Sequence, residues 1–148
     1  MSKAADIKDK IEAKLNELKV SNVLGTVMVD DFKKAIFDRD FSAYPVAVLT
    51  PPSIGGDYFT NSQNLRTYTF EVLVISKGEN IAADGTIENL AEAILDKFDN
   101  IPTAEGVADG GLDPSSTPVE AVLSKDGTLL VFSVILRAKA VKDISLGV

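Results

Sequence analysis

Carboxylates are the side chains of this sequence whose types and spacing could do chemistry. The candidate groups are Asp30 beside Asp31, Asp38 near Asp40, and Asp109 near Asp113. Carboxylate oxygens are the ligands that hard cations such as Ca²⁺ prefer, and two glycines between Asp109 and Asp113 make that backbone adaptable. The match to a calcium-binding loop is poor, and solvated surface acids explain these groups better. We therefore predict no metal site and no cofactor.

The composition removes most other catalytic chemistry. The 148 residues contain no cysteine and no histidine. Disulfides, thiolate nucleophiles, imidazole bases and the commonest transition-metal ligand are therefore excluded. Two glycine pairs, Gly55-Gly56 and Gly110-Gly111, lack the spacing and the following lysine of a phosphate-binding loop. We predict a protein that is not an enzyme and has no catalytic residues, with a carboxylate-only enzyme as the alternative.

The charge balance bears on possible partners. Fifteen basic residues stand against 22 acidic ones, for a net charge of −7, and the arginines are Arg39, Arg66 and Arg137. Tight nucleic-acid binding needs clustered Lys and Arg to neutralise phosphates, so we predict no sequence-specific nucleic-acid binding. The apolar runs are too short for a membrane span. The start at Met1 leads directly into a charged amphipathic pattern, which predicts synthesis in the cytoplasm without a signal peptide.

Hydrophobic periodicity predicts two helices and several strands. Apolar residues of the first helix recur at Ile7, Ile11, Leu15 and Leu18, and Ser21-Asn22 ends it. The second helix covers 87–98, with Thr86 as its cap. Strands are predicted at 26–29, 46–50 and 65–76, followed by a hairpin of 119–124 with a return strand that includes Leu130 to Ala138. The segments 53–64 and 103–116, rich in glycine and polar residues, are predicted as loops.

This element order predicts the fold class and the domain organisation. It favours a single α+β domain over residues 1–148, with an antiparallel or mixed sheet of four to five strands and both helices packed on one face. The strand at 65–76 alternates: Tyr68, Phe70 and related residues lie on one face. The other face begins polar and ends apolar at Leu73 and Ile75, so one end of this strand is covered on both sides or meets a partner.

Four residues are candidates for contacts with another subunit. Tyr58 and Phe59 are adjacent aromatic residues in the predicted polar loop. Either one of them tucks beneath that loop, or both anchor an interface, where aromatic residues contribute much of the binding energy. Arg66 and Arg137 lie among apolar strand neighbours. Each is either an edge charge with its stem along the sheet or a member of an ion pair between subunits.

The chain resembles the tail terminator (tail-completion) proteins of tailed bacteriophages. The resemblance rests on the amphipathic first helix and on element order over nearly the whole chain, and it includes the segments 44–50, 64–75, 87–98 and 134–137. It implies a homo-oligomeric, hexameric ring that caps the tail tube, ends tube polymerisation and presents a surface to the head–tail connector protein. It also implies a virion location at the head-proximal end of the tail, after assembly in the host cytoplasm.

What the resemblance implies about mechanism is surface complementarity without catalysis. Loops suit that work because they are free of the packing constraints of the core, so 53–64 and 103–116 are the expected contact segments. An acidic protein also lets DNA pass through a ring without gripping it. The alternatives are a head-completion or neck protein of a phage and a small-molecule-binding α+β accessory domain; the latter would have an apolar pocket.

Overall fold

The computed structural model describes residues 3–29, 43–60, 63–77, 86–99, 112–124 and 127–143, without the side chains at 3, 57–60, 63–64, 86, 124 and 141–143. These ranges hold two helices and seven strands. In chain order they are α1 (Lys3–Val20), β1 (Thr26–Val29), β2 (Val46–Leu49), β3 (Ser53–Thr60), β4 (Gln63–Lys77), α2 (Thr86–Asp99), β5 (Ser115–Ser116), β6 (Glu120–Ser124) and β7 (Gly127–Asp143).

The strands form one mixed sheet centred on two long neighbours. Its order is β1-β2-β4-β7-β5, with β3 paired to β4 and β6 paired to β7. β1 and β2 are parallel, whereas the other pairs are antiparallel. β4 and β7 pair without interruption from Gln63↔Asp143 to Lys77↔Leu129. The α+β class with a mixed sheet is confirmed, but the predicted strand count of four to five was too low.

The two missed strands are β3 and β5. β3 occupies most of 53–64, which was predicted as a loop because of its glycines and polar residues. Residues 53–56 are exposed, so no apolar alternation marks the strand, and pairing with β4 decides the conformation instead. β5 is two residues long and gives no periodicity. Residues 103–111 of the second predicted loop lie outside the described residues.

Helix α1 has the predicted apolar stripe and ends where the sequence indicates. Its buried side chains are those of Ile7, Ile11, Leu15 and Leu18. Beyond Val20, Asn22 takes a left-handed conformation with φ 66°. The Val23 N–H donates to the Leu18 carbonyl at 2.9 Å, and the Asn22 N–H donates to the Lys19 carbonyl at 3.1 Å. This pair of bonds satisfies carbonyls that the end of the helix leaves without partners.

The two faces of the sheet bury different clusters. The helix face carries Tyr68, Phe70, Val72 and Val74 of β4, and both helices contribute to its cluster. The second face carries a smaller cluster of Val46, Val48, Leu73, Ile75, Leu129 and Val131. The prediction that both helices pack on one face is therefore confirmed. The end of β4 near Leu73 and Ile75 was predicted to be covered on both sides or to meet a partner, and the burial of both of its faces fits the first alternative.

Backbone segments meet closely where β1 begins. The Gly25 N–H donates to the Pro45 carbonyl at 2.8 Å, and the Thr26 hydroxyl donates to the Ala43 carbonyl at 2.7 Å. The Tyr44-Pro45 peptide bond is cis. A Cβ atom on Gly25 would lie 2.9 Å from backbone atoms of Ala43 and Tyr44. Glycine at position 25 is thus what lets these two segments approach each other.

An exposed charge pair links the two helices. Lys97 Nζ lies 3.4 Å from Glu17 Oε1, and Lys14 Nζ lies 3.4 Å from Glu17 Oε2. The hydrogen bond from Lys97 is the largest cause lowering the pKa of Glu17 below 4.5; burial opposes it, and Lys14 adds to it. Because the folded-state pKa is depressed, the stabilisation is complete above about pH 4.5 and is lost as the pH falls through the folded pKa.

The larger effect of Lys97 than of Lys14 on the pKa of Glu17 can be tested. We expect Lys97→Ala to raise the pKa of Glu17 towards 4.5, because it removes the largest favourable contact with the charged carboxylate. Lys14→Ala is the matched control and should raise it by less. A carboxyl-carbon NMR titration measures both shifts. A larger shift in the Lys14 variant would contradict the assignment of Lys97 as the main partner.

Candidate functional site

The long strands carry a three-stranded extension of the sheet, here named the arm. It consists of β3, residues 63–69 of β4 and residues 137–143 of β7. β2 pairs with β4 only between Val72 and Ile75, so the arm lies beyond it. The fifteen residues of β4 extend roughly 50 Å at about 3.3 Å per residue. One continuous pair of strands therefore runs from the part of the sheet beside β2 into the arm, whose Tyr68, Ala138 and Ala140 are buried in the helix-face cluster.

β3 is the exposed edge of the arm. Residues 53–56 are all exposed, and Ile54 has 57% of its surface accessible. Ile54 pairs with Tyr68, which places it on the helix face. In the described part of the chain no strand pairs with the outer side of β3. Unpaired strand edges of this kind present backbone donors and acceptors that another strand can use.

All four predicted interface residues lie in the arm. Tyr58 pairs with Asn64 through the backbone, and Phe59 occupies a register shift of the same strand; their side chains are outside the described residues. Arg66 is half-buried on the helix face, opposite Gly56 and Ala140. Arg137 is exposed on the second face, and its N–H donates to the Leu112 carbonyl at 2.7 Å. Their role as interface residues stays a prediction.

A second exposed surface lies at the opposite side of the sheet, on β6 and the residue stretch before it. Leu123 is 85% exposed and Val119 is 40% exposed. Leu123 pairs with Thr128, so it lies on the helix face, whereas the intervening Val122 packs against the second-face cluster. The sequence does not reveal this surface, because apolar residues occur on both faces of the strand. The helices do not cover the helix-face side of β6, so Leu123 on that side remains exposed.

A row of polar contacts crosses the second face between the arm and the cluster. The Ser133 hydroxyl donates to the Glu71 carboxylate at 2.6 Å, and the Thr50 hydroxyl donates to the Glu71 carbonyl at 2.8 Å. The Ser133 N–H donates to the Thr117 hydroxyl at 2.8 Å. Ser133 and Glu71 have the spacing of a nucleophile and a base, but Ser133 is only 6% exposed. The row therefore ties β2, β4, β7 and the segment before β6 together.

The candidate carboxylate groups are largely outside the described residues. That applies to Asp30, Asp31, Asp38, Asp40 and Asp109. Among the residues the structure does describe, no three acidic side chains come together to hold a metal ion. An open depression lies beside the end of α1 and next to Lys97. None of the helices within the described ranges is long and apolar enough to cross a membrane.

The fold resembles that of a solved structure along nearly its whole length. That structure is a chain of the "Virion of native gene transfer agent (GTA) particle"; the TM-score is 0.57 and 15% of residues are identical. The alignment covers 91% of this chain and 94% of that chain. Neither a protein-family model nor a curated protein matches the chain.

Proposed function

We propose that this chain is a structural virion protein that caps a phage tail tube as a hexameric ring. It ends tube polymerisation and forms the interface to the head–tail connector, and it acts without catalysing a reaction. The observation that carries the proposal is the fold shared, over 91% of the chain, with a protein of a virion particle. The tail terminator resemblance of the sequence narrows that general role to the head-proximal end of the tail.

The exposed edges of the sheet supply the surfaces that such a role requires. A ring subunit needs surfaces that contact its two neighbouring copies, and it needs other surfaces that contact the tube and the connector. β3 and β6 lie on opposite sides of the β4–β7 pair, so one subunit can make both kinds of contact at once. Exposed apolar side chains at Ile54 and Leu123 gain most when such contacts cover them.

The charge supports a ring around a DNA path. With a net charge of −7, the protein repels phosphates on average and does not slow DNA through counterion-release binding. The same charge keeps free subunits soluble before they meet the tube. Together with the shared fold, this acidic balance supports the proposal.

Electron microscopy of purified protein mixed with tail tubes tests the proposal. We expect a ring at one end of each tube and no further growth when tube subunits are added afterwards. Tubes without the added protein, incubated with the same tube subunits, are the control for growth. A neck or head-completion protein would instead bind the portal side of the head. Binding there, or no binding to tubes and heads, contradicts tube capping.

Tyr58 and Phe59 offer a residue-level test of the same proposal. We expect the double substitution to alanine to weaken capping at least about tenfold, as loss of aromatic anchors does at interfaces, with the fold intact. The fraction of capped tubes is counted by microscopy at several protein concentrations. Val20→Ala is the control, because Val20 is 84% exposed and lies outside the arm. Unaltered capping would remove both aromatic residues from the interface.

A further inference from the structure

We propose that the outer edge of β3 is the seam between neighbouring copies of this chain, and that it adds to the C-terminal half of β7 in the next copy. This inference rests on the proposed ring and names the surface that builds it. The partner is a second copy because the described ranges of the chain carry two open edges that fit each other. One is β3 and the other is the β7 segment from Ala138 onward, which pairs only with β4 in the described part of the chain.

The register places these two edges at one level of the arm. Gly55 pairs with Thr67, and Thr67 pairs with Lys139. β3 and β7 both run antiparallel to β4 and are therefore parallel to each other. Copies that share one orientation, as in a ring, then bring β3 beside the neighbour's β7 as a parallel ladder with no stagger along the strands. Head-to-tail contacts of this kind close into rings when the rotation permits.

The edge formed by β6 fits β3 less well. Its pairing with β7 is centred at Leu129, which pairs with Lys77 of β4. That level is about ten residues, or roughly 33 Å at about 3.3 Å per residue, from the level of Gly55. Joining β3 to β6 would shift each copy by that distance along the strands. A shift of this size builds a rising stack rather than a closed ring.

Gly55 gives an independent reason to place another chain at β3. Its φ is not positive, and a Cβ atom there would meet nothing within 4 Å, so nothing described in its own chain requires glycine. Glycine in a strand costs about 0.5–1 kcal/mol relative to alanine, and it marks places where another chain approaches. Gly55 lies on the second face of the sheet, where the exposed Arg137 and Lys139 of β7 also lie.

The two edges of this seam are therefore complementary in the sizes of their side chains. Parallel addition of β3 beside the neighbouring β7 brings Gly55 next to long cationic side chains, which need room to lie across the sheet. On the helix face, the exposed Ile54 comes beside Ala138 and Ala140, whose small side chains are already buried. Small residues thus face large ones on both sides of the seam.

Disulfide trapping tests the seam directly, because the chain has no cysteine of its own. The variant is Gly55→Cys combined with Lys139→Cys. Within one molecule these positions are separated by β4, about 9–10 Å apart, which exceeds the roughly 7 Å limit for a disulfide. Mild oxidation, with and without tail tubes, should give a ladder of covalent oligomers that ends at the ring. Each single-cysteine variant is a control and should give no species beyond a dimer.

A second cysteine pair and a charge variant exclude the competing geometry. Gly55→Cys with Leu123→Cys should not form a ladder; if it does while the first pair fails, β3 joins β6 and the inference is overturned. Gly55→Arg should weaken association about tenfold or more, because it sets a cation against Arg137 and Lys139. Val20→Arg is the matched control and should leave association unchanged, because Val20 is 84% exposed and lies outside both the arm and the β6 surface. Circular dichroism checks that each variant is folded.

The outcomes separate this inference from the proposed function. Capping of tubes without a ladder from Gly55→Cys/Lys139→Cys overturns the seam and leaves the capping role in place. A ladder from protein that never binds tubes supports the seam and removes the capping role. Protein that stays monomeric and yields no ladder, both free and with tubes, overturns the seam.

Discussion

Phe70→Ala should lower the free energy of unfolding by about 3–5 kcal/mol, the range for removing a buried aromatic side chain. Phe70 is fully buried on the helix face, in the cluster shared by both helices and the sheet. Its removal loses apolar burial and leaves a cavity at the point where β4 passes beneath the helices. Urea denaturation measures the change as a lower midpoint, with the slope unchanged if the transition stays two-state.

Leu123→Ala is the control for Phe70→Ala. Leu123 is apolar and lies on the same face of the sheet, but it is 85% exposed. We expect its replacement to change the stability by less than about 0.5 kcal/mol, as for most surface positions. Equal losses of stability in the two variants would show that Leu123 is packed in solution. That result would contradict the description of the β6 surface as exposed.

Gly25→Ala should destabilise the protein by about 1–3 kcal/mol through overpacking. The new Cβ atom would lie 2.9 Å from Ala43 and from the Tyr44 carbonyl oxygen, and backbone atoms have little freedom to retreat. The hydrogen bond between the Gly25 N–H and Pro45 would have to lengthen as the segments separate. Thermal and urea denaturation measure the loss.

Gly55→Ala is the matched control for Gly25→Ala, because the added methyl group meets nothing within 4 Å. We expect no loss of stability there, and a gain of up to about 1 kcal/mol through reduced freedom of the unfolded chain. A comparable loss at both positions would mean that glycine acts through backbone conformation at each site. That result would contradict the close approach described at Gly25.

The sequence predicted the parts of the fold that bury an apolar face. Ile11 and Leu15 repeat at helical spacing, and Phe70 and Val72 repeat at strand spacing, because each element must turn one side to the core. The class, both helices and the packing of those helices on one face followed from such patterns. β1 was placed at its observed bounds from a short apolar, β-branched run, and its four residues are each half-buried.

The exposed elements were predicted less well, for the same physical reason. Residues 53–56 are solvated on both faces, so β3 has no burial pattern, and pairing with β4 holds it extended. The exposure of Leu123 depends on where the helices lie, which a single strand does not encode. Tyr58, Phe59, Arg66 and Arg137 were named from residue type alone, and their gathering in one arm is a result of the β4–β7 register.

The uninterrupted β4–β7 ladder has a mechanical consequence. Two parts of a sheet that only a loop connects can move independently, but here two hydrogen-bonded strands run from one end of the sheet to the other without a break. Bending between the two ends would have to break several ladder bonds at once, and it would also disturb the cluster in which Tyr68, Ala138 and Ala140 of the arm are buried. A push or twist delivered at one end is then transmitted to the opposite side of the molecule instead of being absorbed between them.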